Sequence, residues 1–186
     1  MKAFLSLMIS LILSQSFAIE NETDTSRGQS LTEFSEAENE SFGWTIVNDG
    51  VMGGLSEGNM AMTDEGTMKF RGDLSTKNNG GFSMVMSEKV DYNLSNDLGL
   101  LINVRGDGRT YTARLVSDAR FRGMEVSFSA EIQTKEGEWT QAKIPFSDFK
   151  GSFRGTDLPQ EKLNPSVIQG IGILIGDKKT LHSIWR

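Results

Sequence analysis

The chain has 186 residues, no cysteine, one histidine, and 19 Lys plus Arg against 25 Asp plus Glu, a formal net charge of −6. These counts exclude a disulfide framework, thiolate metal sites, a cysteine nucleophile, a multi-histidine metal centre and nucleic-acid binding through bulk charge. The length and a 37% hydrophobic fraction suit a single domain with a core of ordinary size.

Residues 1–18, MKAFLSLMISLILSQSFA, read as an export signal. Lys2 precedes an apolar stretch, and Ser16 and Ala18 stand at the −3 and −1 positions of a cleavage site. The stretch falls short of the roughly 20 apolar residues that a membrane-spanning helix needs. The expectation is therefore an exported protein, periplasmic or secreted, with no stable membrane span after cleavage. Residues 19–41 carry seven acids and one base, Arg27, and read as an acidic flexible leader. Leu31 and Phe34 are its candidates for a short docking turn. Residues 42–186 carry 17 bases and 18 acids and form the expected domain.

Period-two alternation dominates that domain from residue 68 onward. Phe82, Met84 and Met86 alternate with Ser83, Val85 and Ser87. Leu100 to Val104 is a short apolar run of the kind found in central strands. Tyr111, Ala113 and Leu115 alternate with Thr112, Arg114 and Val116, and Val126, Phe128, Ala130 and Ile132 alternate with polar neighbours. Ile168 to Ile175 is β-branched and broken by Gly170 and Gly172, as in a strand with close backbone approach. Turn signals separate these runs at Asp49-Gly50, Asn78 to Gly81, Gly106 to Gly108, Glu136-Gly137 and Gly176-Asp177. Short helical turns are expected at Ser147–Lys150 and Pro159–Leu163. The pattern predicts an all-β antiparallel sandwich or barrel.

Several motifs carry candidate chemistry. Gly54 to Gly58 matches G-x-S-x-G, but a nucleophile elbow needs a strand before it, a helix after it and downstream Asp and His partners. The only histidine is His182, close to the end of the chain, and the segment after Ser56 reads as loop and strand. A Gly-rich loop is the better reading. The tripeptides Arg71-Gly72-Asp73 and Arg105-Gly106-Asp107 read as hairpin turns. Arg105, Arg109, Arg114, Arg120, Arg122 and Arg154 would bind anions if they converged, and otherwise form a solvated face. Turn aspartates such as Asp49 and Asp107 lack EF-hand spacing, so no metal is expected. Trp44 and Trp139 read as packing residues at strand edges, with sugar stacking as the rival role.

Residues 44–56 read WTIVNDGVMGGLS, 78–84 read NNGGFSM and 105–111 read RGDGRTY. Ile144-Pro145-Phe146 with Phe149, then Phe153-Arg154-Gly155 and residues 171–178 (IGILIGDK), follow in order. In this order and spacing, residues 42–179 resemble the complex I intermediate-associated protein 30 family. The resemblance implies a galactose-binding-like jelly-roll β-sandwich, and a non-catalytic, chaperone-like role without a cofactor. The residues after Asp177 do not alternate as a further strand would, so the last strand is expected to be truncated or displaced.

The leading expectation is a single-domain, non-catalytic binding protein that acts as an assembly factor for an envelope protein or complex. The candidate binding residues are Trp44, Asp49, Gly53, Gly54, Ser56, Arg105, Arg109 and Tyr111, with loop architecture as the competing explanation for the Gly-rich positions. The alternative is a carbohydrate-binding module using Trp44, Arg105, Arg109 and Tyr111 on jelly-roll loops. A protein partner and a glycan are thus the two candidate ligands, and nucleic acid is not one.

Overall fold

The computed structural model describes residues 7–13, 30–32, 34 and 43–176. It is a β-sandwich with only one-turn 3-10 helices among those residues, at Asp49–Met52, Lys77–Asn79 and Phe146–Asp148. The strands are β1 (Leu7–Leu13), β2 (Ser30–Thr32), β3 (Trp44–Asn48), β4 (Glu57–Met62), β5 (Met68–Asp73), β6 (Phe82–Ser87), β7 (Gly99–Arg105), β8 (Thr110–Phe121), β9 (Met124–Gln133), β10 (Trp139–Pro145), β11 (Lys150–Phe153), β12 (Thr156–Asp157) and β13 (Ile168–Gly176). One sheet runs β10-β7-β1-β5-β4, with β2 also paired to β1; the other runs β12-β11-β9-β8-β13-β6-β3. Every pairing between these strands is antiparallel. The fold is an antiparallel β-sandwich, as the alternation predicts, and of the jelly-roll type that the family resemblance implies.

Alternation decides which side chains meet between the sheets. Met68, Phe70, Ile102, Val104 and Ile144 face inward from one sheet. Tyr111, Leu115, Val126, Phe128, Ile132 and Ile173 meet them from the other. Burial of this apolar surface is the main term favouring the fold. The outer faces carry the alternate residues.

Three local expectations differ from the structure. Arg71-Gly72-Asp73 is the end of strand β5, not a hairpin turn, because its backbone pairs with Glu57–Asn59 on β4. A Cβ on Gly72 would overlap the Glu57 carbonyl, so the glycine serves close strand approach. The helical turn expected at Pro159–Leu163 is a simple turn, closed by Glu161 N–H donating to the Leu158 carbonyl at 3.0 Å. Part of the segment read as an export signal forms β1, which pairs with β7 over Met8–Leu13 and with β5 over Leu7–Ile9. A short, mostly apolar run satisfies a signal core and a sheet strand equally well, so composition does not separate them. Within the stretch read as leader, Leu31 and Phe34 are buried, Phe34 lies 6.0 Å from the Trp44 ring, and Tyr92 Oη donates to the Leu31 carbonyl at 3.0 Å. The expected displacement of the last strand falls outside the described residues.

Candidate functional site

Two loops at one end of the sandwich hold most of the candidate residues. Strand β3 ends at Asn48 and β6 begins at Phe82; β13 ends at Gly176 opposite Phe82, and β8 begins nearby at Thr110. The register therefore places the 49–56 loop, the 77–81 loop and the 106–109 loop together. Trp44 sits at the opposite end of β3, across from Ser87.

Asp49 organises the first loop. Its carboxylate is wholly buried and accepts four hydrogen bonds. Ser56 donates its N–H at 2.9 Å and its hydroxyl at 2.5 Å; the N–H groups of Gly81 and Phe82 donate at 2.5 and 3.3 Å. Ser56 Oγ in turn accepts the Ser75 N–H at 3.0 Å. Next door, Asn48 Oδ1 accepts from Ser83 Oγ at 2.6 Å and from Gly58 N–H at 3.1 Å. Two glycines are needed for this arrangement: a Cβ on Gly54 or Gly80 would run into the Asp49 carboxylate. Gly53 is needed for another reason, its φ of 86°. The result is a rigid loop whose polar groups satisfy one another. It carries Met52 and Leu55 outward, 36% and 54% exposed.

Burial alone would raise the Asp49 carboxyl, but the bonds from Ser56, Gly81 and Phe82 outweigh it and hold the group below its ordinary value. Asp107 is also held low: burial opposes, and Arg109 and Tyr111 prevail. A carboxyl depressed in the folded state adds stability that is full above its unfolded value and is lost as pH falls through the folded one. Stability is therefore expected to decline below about pH 4, starting from the ordinary carboxyl value of 3.8. Urea midpoints at pH 5 and pH 3 check this. The drop should be smaller in Asp49→Asn, which has no carboxyl there to protonate.

The second loop repeats the device. Asp107 Oδ2 accepts Arg109 Nε at 2.8 Å and forms an ion pair with the same guanidinium at 2.6 Å. Its Oδ1 accepts Tyr111 Oη at 3.0 Å and Arg109 N–H at 3.2 Å. Burial and the Asp107 charge push the Tyr111 phenol up, which keeps it a proton donor to that carboxylate. Arg105 departs from this group: it stands exposed on the outer face of the other sheet, directly across from Trp139.

Of the residues singled out by sequence, the structure thus joins Asp49, Gly53, Gly54 and Ser56 in one loop and Arg109 and Tyr111 in another. Trp44 and Tyr111 are 1% and 0% exposed, so neither ring face is open for a sugar to stack on. Ser56 is followed by strand β4 rather than a helix, and its hydroxyl is committed to Asp49. The arginines do not converge. Arg122 and Arg154 lie over Phe121 and Phe153, Arg120 approaches Glu125 at 4.0 Å, and Arg114 donates to Ser127. Burial lowers Arg114 in spite of the Glu125 charge. Among the described residues no group of three or more His, Cys, Asp or Glu could hold a metal. Sequence reasoning missed Asp107 as the centre of the second loop and Trp139 as an exposed ring. For Trp139 the signal was present: it shares its face with Gln141 and Lys143 and opposes the buried Ile144 side.

The model of the family described as Complex I intermediate-associated protein 30 matches residues 32–182. The chain belongs to the complex I intermediate-associated protein 30 family. Two relatives are each named "Probable complex I intermediate-associated protein 30, mitochondrial". The one from Caenorhabditis elegans is 31% identical and the one from Caenorhabditis briggsae 30% identical, each over 146 residues. Both matches cover 67% of this chain but only 42% of the relative, so the chain spans about two fifths of their length. Among solved structures, the fold resembles the family 11 carbohydrate-binding module from Clostridium thermocellum in complex with a β-1,3-1,4-mixed-linked tetrasaccharide (TM-score 0.56, 13% identity, 91% of this chain and 87% of that one). The same type of module from the cellulosomal cellulase Lic26A-Cel5E gives a TM-score of 0.56 at 14% identity, covering 80% of this chain and 88% of that one. At such identity the likeness concerns the fold.

Family membership also corrects the expected location. The relatives are mitochondrial proteins, which conflicts with an exported, periplasmic or secreted one. The residues behind that expectation are the apolar run that includes strand β1.

Proposed function

We propose that this chain is a non-catalytic, chaperone-like assembly factor that binds a protein intermediate of a complex I-type assembly. Family membership is the observation that carries this reading. The geometry adds a means. A loop fixed by the buried Asp49 network presents Met52 and Leu55 to solvent. A pre-ordered loop loses little conformational freedom when a partner covers it, so more of the contact energy appears as affinity. The glycines that let this loop form are thus architectural, and the two apolar side chains make the contact.

The test is crosslinked affinity purification of the full chain from cells that assemble complex I, read by mass spectrometry. Complex I subunits or assembly intermediates should be enriched. Leu55→Asp should reduce their recovery about tenfold, because a charge in a desolvated contact leaves an unpaired buried group. Its melting temperature should stay within a degree or two, since the side chain is more than half exposed. Enrichment unchanged in both Leu55→Asp and Met52→Asp would remove this loop as the contact. Absence of any complex I component would remove the assembly reading itself.

A further inference from the structure

Trp139 is 49% exposed at the start of edge strand β10. The register places it in a row across the sheet: Lys69 on β5, position 8 on β1, Arg105 on β7 and Trp139 on β10. The next row holds position 10, Asn103 and Gln141. Asn103, Arg105, Trp139 and Gln141 all point away from the core, because their alternates Ile102, Val104 and Ile144 are buried. Asn103, Trp139, Thr140 and Gln141 line an open cavity of about 350 Å³.

The chemistry of this face is specific. Gln141 Nε2 donates to Asn103 Oδ1 at 3.2 Å, which orients both amides. Among the described residues, Asn103 Nδ2 and Gln141 Oε1 take no other partner, so one donor and one acceptor stand side by side. That pair matches two neighbouring hydroxyls on a sugar ring. Trp139 supplies an apolar plate beside it for the ring's C–H face. Arg105 supplies a planar fork that binds a carboxylate through two parallel bonds. Lys69 and Arg71 extend the positive charge along β5, although the chain as a whole carries −6. Glu57 and Asp73 oppose each other at the far side of this face, on β4 and β5; at the near side Glu136 bridges to Gly106 beside Arg105, and Glu138, next to Trp139, is paired with Lys135 at 3.7 Å.

We infer that the outer face around Trp139, Arg105, Asn103 and Gln141 is a binding site for a carboxylated oligosaccharide. The ring of one sugar stacks on Trp139, its hydroxyls bond the Asn103–Gln141 pair, and a uronic carboxylate pairs with Arg105. This site is separate from the 49–56 loop. It does not depend on the assembly reading, and the two can fail independently.

Titration calorimetry of the full chain with tetragalacturonate, and with cellotetraose as the neutral match, tests it. Tetragalacturonate should bind at least tenfold tighter than cellotetraose at low salt, and the difference should shrink at 0.5 M NaCl. Trp139→Ala should weaken both sugars about tenfold, the loss expected for one stacked ring. Arg105→Gln should abolish the acidic preference and leave cellotetraose unchanged. Circular dichroism melts of both variants should match the parent, which separates lost contacts from lost fold. No heat with tetragalacturonate overturns the inference, as does binding that survives both substitutions. If Trp139→Ala instead removes a captured protein while neither sugar binds the parent, the face is a protein contact and the inference is wrong.

Discussion

Asp49→Ala is expected to destabilise the domain by about 3–5 kcal/mol, measured by urea unfolding at pH 7. The carboxylate accepts four hydrogen bonds in a site with no exposure to solvent. Alanine leaves the N–H groups of Ser56, Gly81 and Phe82 without their acceptor, and leaves the Ser56 hydroxyl only the Ser75 carbonyl at 3.4 Å. Each buried donor left unpaired costs about 1–3 kcal/mol, and water entering the vacated space recovers part of the sum. Asp49→Asn should lose less, because its amide oxygen still accepts while its NH2 faces donors. A loss below about 1 kcal/mol in Asp49→Ala would show that the loop does not depend on the carboxylate.

Gly54→Ala is expected to cost about 2–3 kcal/mol, a large effect for one added methyl. The new Cβ would overlap the Cγ and Oδ1 atoms of Asp49. Asp49 cannot move aside without stretching the bonds to Ser56, Gly81 and Phe82. Most of the cost therefore comes from the Asp49 carboxylate and should fall when that group is removed, although the Cβ at position 49 still lies 2.8 Å from the new methyl. In an Asp49→Ala background Gly54→Ala should cost about 1–2 kcal/mol, less than in the parent, giving a coupling energy of about 1 kcal/mol in a double-mutant cycle. Additive losses would mean that Gly54 is needed for its backbone alone. Gly53→Ala makes the contrast: nothing lies near its Cβ, so its penalty comes from the φ of 86° and should not change with Asp49.

The sandwich was legible because alternation is a short-range signal. Val126 to Ile132 and Tyr111 to Leu115 each announce a buried face within a few residues, and the structure buries those side chains. Turn chemistry was legible for the same reason at Asn78 to Gly81 and Gly106 to Gly108. The Arg71-Gly72-Asp73 segment misled because Gly-Asp marks a turn locally, while pairing with β4 is a long-range fact. The run at 7–13 misled because an apolar stretch of that length serves a signal core and a strand alike.

The sequence by itself determined the all-β class, most strand positions, the core-facing residues and, through its ordered motifs, the family. It also marked Asp49, Gly53, Gly54 and Ser56 as one unit. It did not determine what that unit does, because the partners that decide it are distant in the chain: Ser75, Gly81 and Phe82 reach Asp49 and Ser56 only once β3 and β6 have paired. Alternation marked Tyr111 as core-facing, and the tertiary structure decided between packing and exposure for the two tryptophans, burying Trp44 and leaving Trp139 49% exposed. The tertiary structure alone set Arg105 beside Trp139, although 34 residues of chain separate them, through the β7–β10 register. Local pattern fixes which way a side chain points from its strand; only sheet pairing and layer packing fix what it then meets.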